Sequence, residues 1–314
     1  MFDEHEGSVD GLVHLYVDGA FDRRELVRRV AKMVGGTAAA LATLNGYEAF
    51  GQTALGQTAT ACPADVRVPA DAADVTARDV QFTGDESTVY GYLAYPSGLQ
   101  GKLAPGIIVV HENRGLTDYI KDVTRRVARA GFVGLAPDLL SRQGGTQQFT
   151  DATAQAAAYN RTTLQQRLAD LYSALSYIKA QPNIVYDHIG ALGFCAGGGN
   201  VWQFALGLDE LKAAVPFYGA PVPPLDRIAE IKAPVLALYA EQDRNLSSQM
   251  GPVMQTMLAQ QKTFGFVVYQ GAGHAFHNDT GPAYNAEVAC DAWARAMGWF
   301  NKYLRDTSTI ALKK

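Results

Sequence analysis

The residues best suited to chemistry stand in the stretch Ile189-Gly190-Ala191-Leu192-Gly193-Phe194-Cys195-Ala196-Gly197-Gly198-Gly199. A run of small and apolar residues ends in Gly193-x-Cys195-x-Gly197, and the pattern predicts a helix from Gly198 to Leu206. Strand, sharp turn and helix in that order put a thiol on the turn, where a nucleophile can be presented to a substrate. The glycines let the chain reverse without side-chain clashes, while the central residue is held in a strained conformation that exposes its side chain. The helix start brings backbone N–H groups and a dipole beside the sulfur, which favours a thiolate and later an oxyanion. The same five residues also suit a buried cysteine at a tight turn, since free cysteine is often core. Residues downstream weigh between the two.

In open α/β sheets, reactive groups gather beyond the carboxyl ends of the strands. Ala240-Glu241-Gln242-Asp243 follows an apolar strand predicted at Val235 to Tyr239, and Gly271-Ala272-Gly273-His274 follows another at Phe264 to Tyr269. With Cys195 these give the order nucleophile, acid, histidine. His274 would accept the thiol proton and then activate water, and Asp243 would fix its tautomer and stabilise the imidazolium. Glu241, the pair Asp187-His188, His277 and Asp279 are rival members, each off the expected position. No Cys-x-x-Cys or His-Glu-x-x-His is present, because Gly115 stands where His111-Glu112 would need its second histidine. No metal is expected.

Those side chains need a frame. Val80 to Phe82 and Val89 to Tyr95 read as an antiparallel pair around Gly84-Asp85, and Gly106 to Val110 as a strand buried on both faces. Helical spacing covers Asp118 to Ala130, a strand Phe132 to Ala136, and a long helix Ala152 to Ala180 stopped by Pro182. After the thiol come a strand at Ala213 to Tyr218 and helices near Gln249 to Gln260 and Ala286 to Tyr303. This alternation predicts an α/β fold, a mostly parallel sheet with helices on both faces. A dinucleotide-binding unit is the competitor, but Gly193-x-Cys195-x-x-Gly198 lacks its middle glycine and comes too late in the chain.

A chain of 314 residues with 48% hydrophobic and 18% charged residues can bury a full core in one large unit or two smaller ones. A net charge of -4 and the absence of any long Lys/Arg run argue against nucleic-acid binding. Cys62, Cys195 and Cys290 cannot all be paired, and such sparse use suits a reducing compartment and a free thiol. Residues 1–62 stand apart from 63–314. Asp22-x-x-Glu25 resembles a capping box, and Leu26, Val30, Met33, Val34, Thr37 and Leu41 recur at helical spacing, which predicts a helical arm that could join two copies of the chain. A second reading takes Arg23-Arg24 as a twin-arginine export signal with cleavage near Ala59-Thr60-Ala61, although Lys32 interrupts its apolar region. The first places the protein in the cytoplasm, the second in the periplasm or beyond. The apolar stretch is too short and too glycine-rich for a membrane span. Residues 63–77 read as a linker.

From about residue 78 to 304 the chain resembles the dienelactone hydrolase (carboxymethylenebutenolidase) family of α/β-hydrolases, in a branch with an N-terminal arm. The likeness runs through Val110-His111-Glu112-Asn113-Arg114-Gly115, Ala136-Pro137-Asp138-Leu139-Leu140-Ser141-Arg142, Gly193-Phe194-Cys195-Ala196-Gly197-Gly198 and Gly273-His274-Ala275-Phe276. It implies an α/β-hydrolase catalytic domain over 63–314, with Cys195, Asp243 and His274 as the triad and Glu112 as the carboxylate that contacts and activates the thiol. It implies an oxyanion hole from the backbone N–H groups of Asn113 and Ala196, and a substrate carboxylate held by Arg142. The family's second arginine falls at Asn278 here, so one arm of that clamp is absent. The expected activity is thiol-dependent hydrolysis of small esters or lactones through a thioester, with no cofactor. Two alternatives stand beside it: an esterase of larger or polymeric esters, and a redox-responsive thiol protein.

Overall fold

In the computed structural model, residues 12, 23–36, 67–99 and 102–305 are described. The chain divides into two units, Met1–Cys62 and Pro63–Lys314. In the first, helix α1 (Arg23–Val34) carries Glu25 between Arg28 at 2.6 Å and Arg29 at 3.0 Å. Asp22, Thr37, Leu41, the Ala59-Thr60-Ala61 segment, Cys62 and the side chains of Arg23, Arg24 and Leu26 lie outside the described residues.

In the second unit, continuous apolar runs form the middle of an eight-stranded sheet. β3 (Ala104–Val110), β4 (Val133–Pro137) and β7 (Val235–Ala240) are buried at every position, which requires cover on both faces. β1 (Val75–Thr83) and β2 (Thr88–Pro96) form the predicted antiparallel hairpin, and β2 also runs antiparallel to β4. With β5 (Ile184–Phe194), β6 (Leu211–Phe217) and β8 (Phe264–Tyr269), all other pairings are parallel and the order is β1-β2-β4-β3-β5-β6-β7-β8. The chain leaves β3 through α2 (Asp118–Arg129) toward β4 on one side, then returns to β5 on the other. The carboxyl ends of β3 and β5 therefore flank the switch point where such sheets bind ligands. Their register pairs Val110 with Gly193, so Glu112 and Cys195 each lie two residues beyond one matched pair.

Two expectations need correction. The helix predicted from Ala152 to Ala180 is two helices, α3 (Ala152–Arg161) and α4 (Leu164–Lys179). Thr162 is extended, and Thr163 starts α4 with a capping box: its hydroxyl accepts from Gln166 N–H at 3.1 Å while its own N–H donates to the Gln166 side chain at 2.9 Å. Two adjacent threonines offer the backbone these local bonds in place of a continuous helix. The linker predicted at 63–77 is also shorter and more docked, for β1 already begins at Val75. Val68 is buried, donates to Asp122 at 2.7 Å and accepts from Arg125 at 2.5 Å.

Helices α5 (Ala196–Ala205), α6 (Arg244–Ser247), α7 (Met250–Ala259) and α8 (Ala286–Leu304) complete the unit. Cys290 on α8 is disulfide-bonded, against the expectation of reduced thiols, and Cys195 is free. Among the described residues no helix is long and apolar enough to cross a membrane.

Candidate active site

Cys195 joins β5 to α5 with φ 54° and ψ −120°, a left-handed-side conformation that non-glycine residues rarely adopt. The turn is held by its own backbone: Cys195 N–H donates to Phe217 at 3.1 Å, and its carbonyl accepts from Gly199 at 3.0 Å and Ala220 at 3.3 Å. A methyl group on Gly197 would meet the carbonyl oxygens of Val110 and His111, so only glycine lets α5 pass this close to the end of β3. Ala196 opens α5 and its N–H has no intrahelical acceptor, as at any helix start.

Asp243 and His274 arrive from the ends of β7 and β8. Asp243 occupies the N-cap position of α6, yet its carboxylate does not cap the helix. It accepts the Nδ1–H of His274 at 2.5 Å, which leaves Nε2 available to Cys195, a residue near enough to act on the ring electrostatically. The Tyr218 ring stands 5.0 Å from the imidazole, and Tyr218 (φ 37°) and Ala275 (φ 66°) both hold positive φ around it. The contact with Cys195, helped by the Asp243 carboxylate and opposed by burial, pushes His274 up to about 9. The protonated ring is thus favoured in the fold. Its stabilising share is complete below the ordinary imidazole value of 6.5 and is lost as pH rises through about 9. In an NMR titration His274 should follow this course in the wild type and shift well downward in Cys195→Ala, where the largest upward influence is gone. An unchanged titration would assign the shift to Asp243 alone.

Behind this chain lies a buried polar cluster. Glu112 is 8% exposed, and burial raises its carboxyl above the usual range, partly offset by a hydrogen bond from Asn278 Nδ2 at 2.9 Å and by the charges of Arg114 and His274. Asn278 is oriented for that donation because its Oδ1 accepts from Thr280 N–H at 3.0 Å and Thr280 Oγ1–H at 2.7 Å. His111 is wholly buried; Leu139 N–H donates to its Nε2 at 2.8 Å, so Nδ1–H must donate to the Glu112 carbonyl at 2.5 Å. Burial keeps that ring neutral, and it ties the turn after β3 to the end of β4. Sequence reasoning missed this role, having weighed His111 only as a metal ligand; the clamp bridges 28 residues and leaves no local pattern. Tyr159 and Tyr218 were also missed, although both lie within electrostatic reach of Cys195.

Arg142 stands elsewhere in the hydrogen-bond network. Its guanidinium grips the buried Asp170 at 2.9 Å and donates to the Asp85 carbonyl at 2.7 Å. The rival triad members are also accounted for. His277 is buried with Nδ1 at 2.8 Å from Tyr119 Oη and is held down to about 3 by burial. Asp279 pairs with Arg126 at 2.7 Å and Arg67 at 3.1 Å, Glu241 lies 3.7 Å from Arg244, and Asp187 pairs with His188 on β5 itself.

The sheet order, the glycine-framed turn after β5 and the acid and histidine beyond β7 and β8 define an α/β-hydrolase. Residues 89–304 match the model of the dienelactone hydrolase family, and the chain belongs to that family. A provisionally named carboxymethylenebutenolidase of Methylorubrum extorquens is 34% identical over 251 residues, 76% of this chain and 86% of that protein. A crystal structure of a provisionally named dienelactone hydrolase from Klebsiella pneumoniae superposes with a TM-score of 0.67 at 30% identity, covering 73% of this chain and 99% of that one. A dienelactone hydrolase-like promiscuous phosphotriesterase from metagenomic libraries has a TM-score of 0.64 at 26% identity, with 73% and 99% covered. Membership makes the protein a hydrolase of the lactone and ester class.

Proposed function

We propose that the protein hydrolyses small esters or lactones through a Cys195-Asp243-His274 triad and a thioester intermediate. The observation that carries this reading is the hydrogen bond between Asp243 and His274, with the ring within electrostatic reach of a thiol set at positive φ on a strand-to-helix turn. The sulfur attacks the carbonyl carbon, and the carbonyl oxygen takes the negative charge beside the N–H groups of Asn113 and Ala196. His274 returns a proton to the leaving oxygen as that bond breaks. In the thioester the sulfur bears no charge, so the influence that holds His274 protonated disappears and the ring can act as a base toward water. Attack by that water releases the acid and restores the thiol.

A panel of lactones and p-nitrophenyl esters, with acid quenching and mass spectrometry of the Cys195 peptide, tests this. Turnover with an acyl mass on Cys195 supports it, and turnover without such an adduct in a pre-steady-state burst removes the thioester. Neither position assigned to carboxylate binding offers a free cation, since Arg142 is paired and Asn278 serves Glu112.

Glu112 is read as the carboxylate that controls how readily the Cys195 proton passes to His274 when substrate binds. Glu112→Gln preserves an acceptor for Asn278 but removes the carboxylate. It should slow acylation by about 10²-fold while leaving deacylation through His274 largely intact. Stopped-flow burst kinetics separate the two steps, and an unchanged burst rate would leave Glu112 a structural carboxylate.

A further inference from the structure

Tyr218 directly follows β6, as Cys195 directly follows β5, and the strand register pairs Phe217 with Phe194. The phenol and the thiol thus each stand one residue beyond a matched pair on neighbouring parallel strands. Tyr218 holds a positive φ of 37°, and its N–H donates to the Leu238 carbonyl at 2.7 Å. Its ring is wholly buried, 5.0 Å from the His274 imidazole and 5.1 Å from the Phe276 ring, which it meets edge to face. Aromatic neighbours on two sides fix the direction of the hydroxyl.

That hydroxyl has no hydrogen-bond partner among the described residues. Other buried phenols of this unit do. Tyr159 accepts from Asn200 Nδ2 at 2.8 Å, and Tyr119 Oη lies 2.8 Å from His277 Nδ1. Tyr239 accepts from Trp202 at 3.0 Å and donates to the Gly219 carbonyl at 2.9 Å. An unpaired buried O–H is costly, so a fold that keeps one calls for an acceptor that exists in another state of the site. Besides Tyr119, the groups whose negative charge bears on this phenol are Glu112 and Cys195. Glu112 already receives Asn278, and burial raises its carboxyl toward the neutral form. The sulfur differs. As a thiol it is a weak acceptor, and as a thiolate a strong one.

We propose that the Tyr218 hydroxyl donates a hydrogen bond to the Cys195 sulfur once His274 has taken the thiol proton. The S–H bond breaks, an N–H bond forms on His274, and Tyr218 keeps its own proton. Burial ensures this by holding the phenol well above the ordinary tyrosine value. A donor idle beside the thiol and engaged by the thiolate contributes to ionisation alone. The bond is lost in the thioester, whose sulfur is neutral, and forms again as the thiolate departs in deacylation. The inference rests on the hydrolase reading above and adds a donor to its nucleophile.

The titratable groups around the sulfur and the phenol are His274 with Asp243, Glu112, Tyr159 of α3 and Tyr119 of α2. The test uses the full chain and follows iodoacetamide alkylation against pH, read by mass spectrometry on the Cys195 peptide. Tyr218→Phe removes one oxygen and leaves the ring against His274. It should move the alkylation midpoint upward and slow the reaction below that midpoint by about tenfold or more, as for a lost hydrogen bond to a charged group. Ester kcat/KM should fall alike at neutral pH and recover at alkaline pH, where the thiol ionises unaided. Tyr159→Phe is the control; its oxygen is held by Asn200, and the midpoint should stay in place. The Tyr218→Phe shift should persist in a Glu112→Gln background. Its disappearance there would assign the hydroxyl to the carboxylate and overturn the proposal, as would an unchanged midpoint in Tyr218→Phe itself. If Tyr218→Phe does not fold, the Tyr218 O–H proton resonance decides. It should move downfield as Cys195 ionises in the wild type and stay constant in Cys195→Ala; the same behaviour in both proteins overturns the proposal. A shifted midpoint in a protein that hydrolyses no ester upholds the donor and removes the hydrolase reading. Turnover with an unshifted midpoint does the reverse.

Discussion

Cys195→Ala is expected to lower ester turnover by about three orders of magnitude or more, the usual cost of removing a triad nucleophile. Alanine suits the test because it keeps a Cβ and meets the same positive φ at position 195 that cysteine already tolerates. The elbow is held by backbone hydrogen bonds to Phe217, Gly199 and Ala220, none of which uses the sulfur. Loss of activity with an unchanged melting profile would therefore report chemistry and not collapse. Cys195→Ser should fall between the two proteins, since a serine hydroxyl needs a stronger base than a thiol. Hydrolysis by the alanine variant at close to the wild-type rate would remove Cys195 from the reaction.

Gly197→Ala should cost more than any surface change in this unit, on the order of 3 kcal/mol or above, and could leave no folded protein to assay. The added methyl would meet the carbonyl oxygens of Val110 and His111, backbone that cannot rotate away as a side chain would. Gly199→Ala meets the Ala220 carbonyl in the same manner. Gly251 and Gly298 are the controls. Gly298 lies inside α8 and Gly251 in the first turn of α7, each with nothing within 4 Å of the position a methyl would take. Alanine there should stabilise the fold by about 0.5–1 kcal/mol through helix propensity alone. Urea denaturation of the four variants measures the contrast, and a Gly197→Ala protein as stable as the wild type would mean the elbow is looser than its geometry implies.

What could be read from the sequence follows from how far apart the partners lie. Strands β3, β5, β6, β7 and β8 announce themselves as apolar runs, and Cys195, Asp243 and His274 stand at their ends. The structure brings those three side chains together because a parallel sheet aligns its carboxyl ends. The break between α3 and α4 is marked locally by Thr162-Thr163, but the apolar spacing on either side argues for continuity and hides it. Other features needed tertiary information. Arg142 meets Asp170 28 residues away, and Asn278 meets Glu112 across 166. The loss of an arginine at 278 looks in the sequence like a missing substrate contact; in the fold, a shorter side chain there holds a buried carboxylate.

The strand order also governs when this protein becomes reactive during its own synthesis. β7 and β8 are the last strands made and lie at one edge of the sheet, while the elbow sits at its middle. Cys195 thus leaves the ribosome roughly eighty residues before His274, several seconds ahead at ordinary elongation rates. Through that interval the thiol can already be seated between β3 and β6, but it lacks the imidazole that would withdraw its proton. A ribosome-bound chain stalled before β8 would carry a seated yet quiet sulfur. On the proposed mechanism its nucleophilicity arrives with the final edge strand, and the newborn chain is shielded from acylation until its fold is complete.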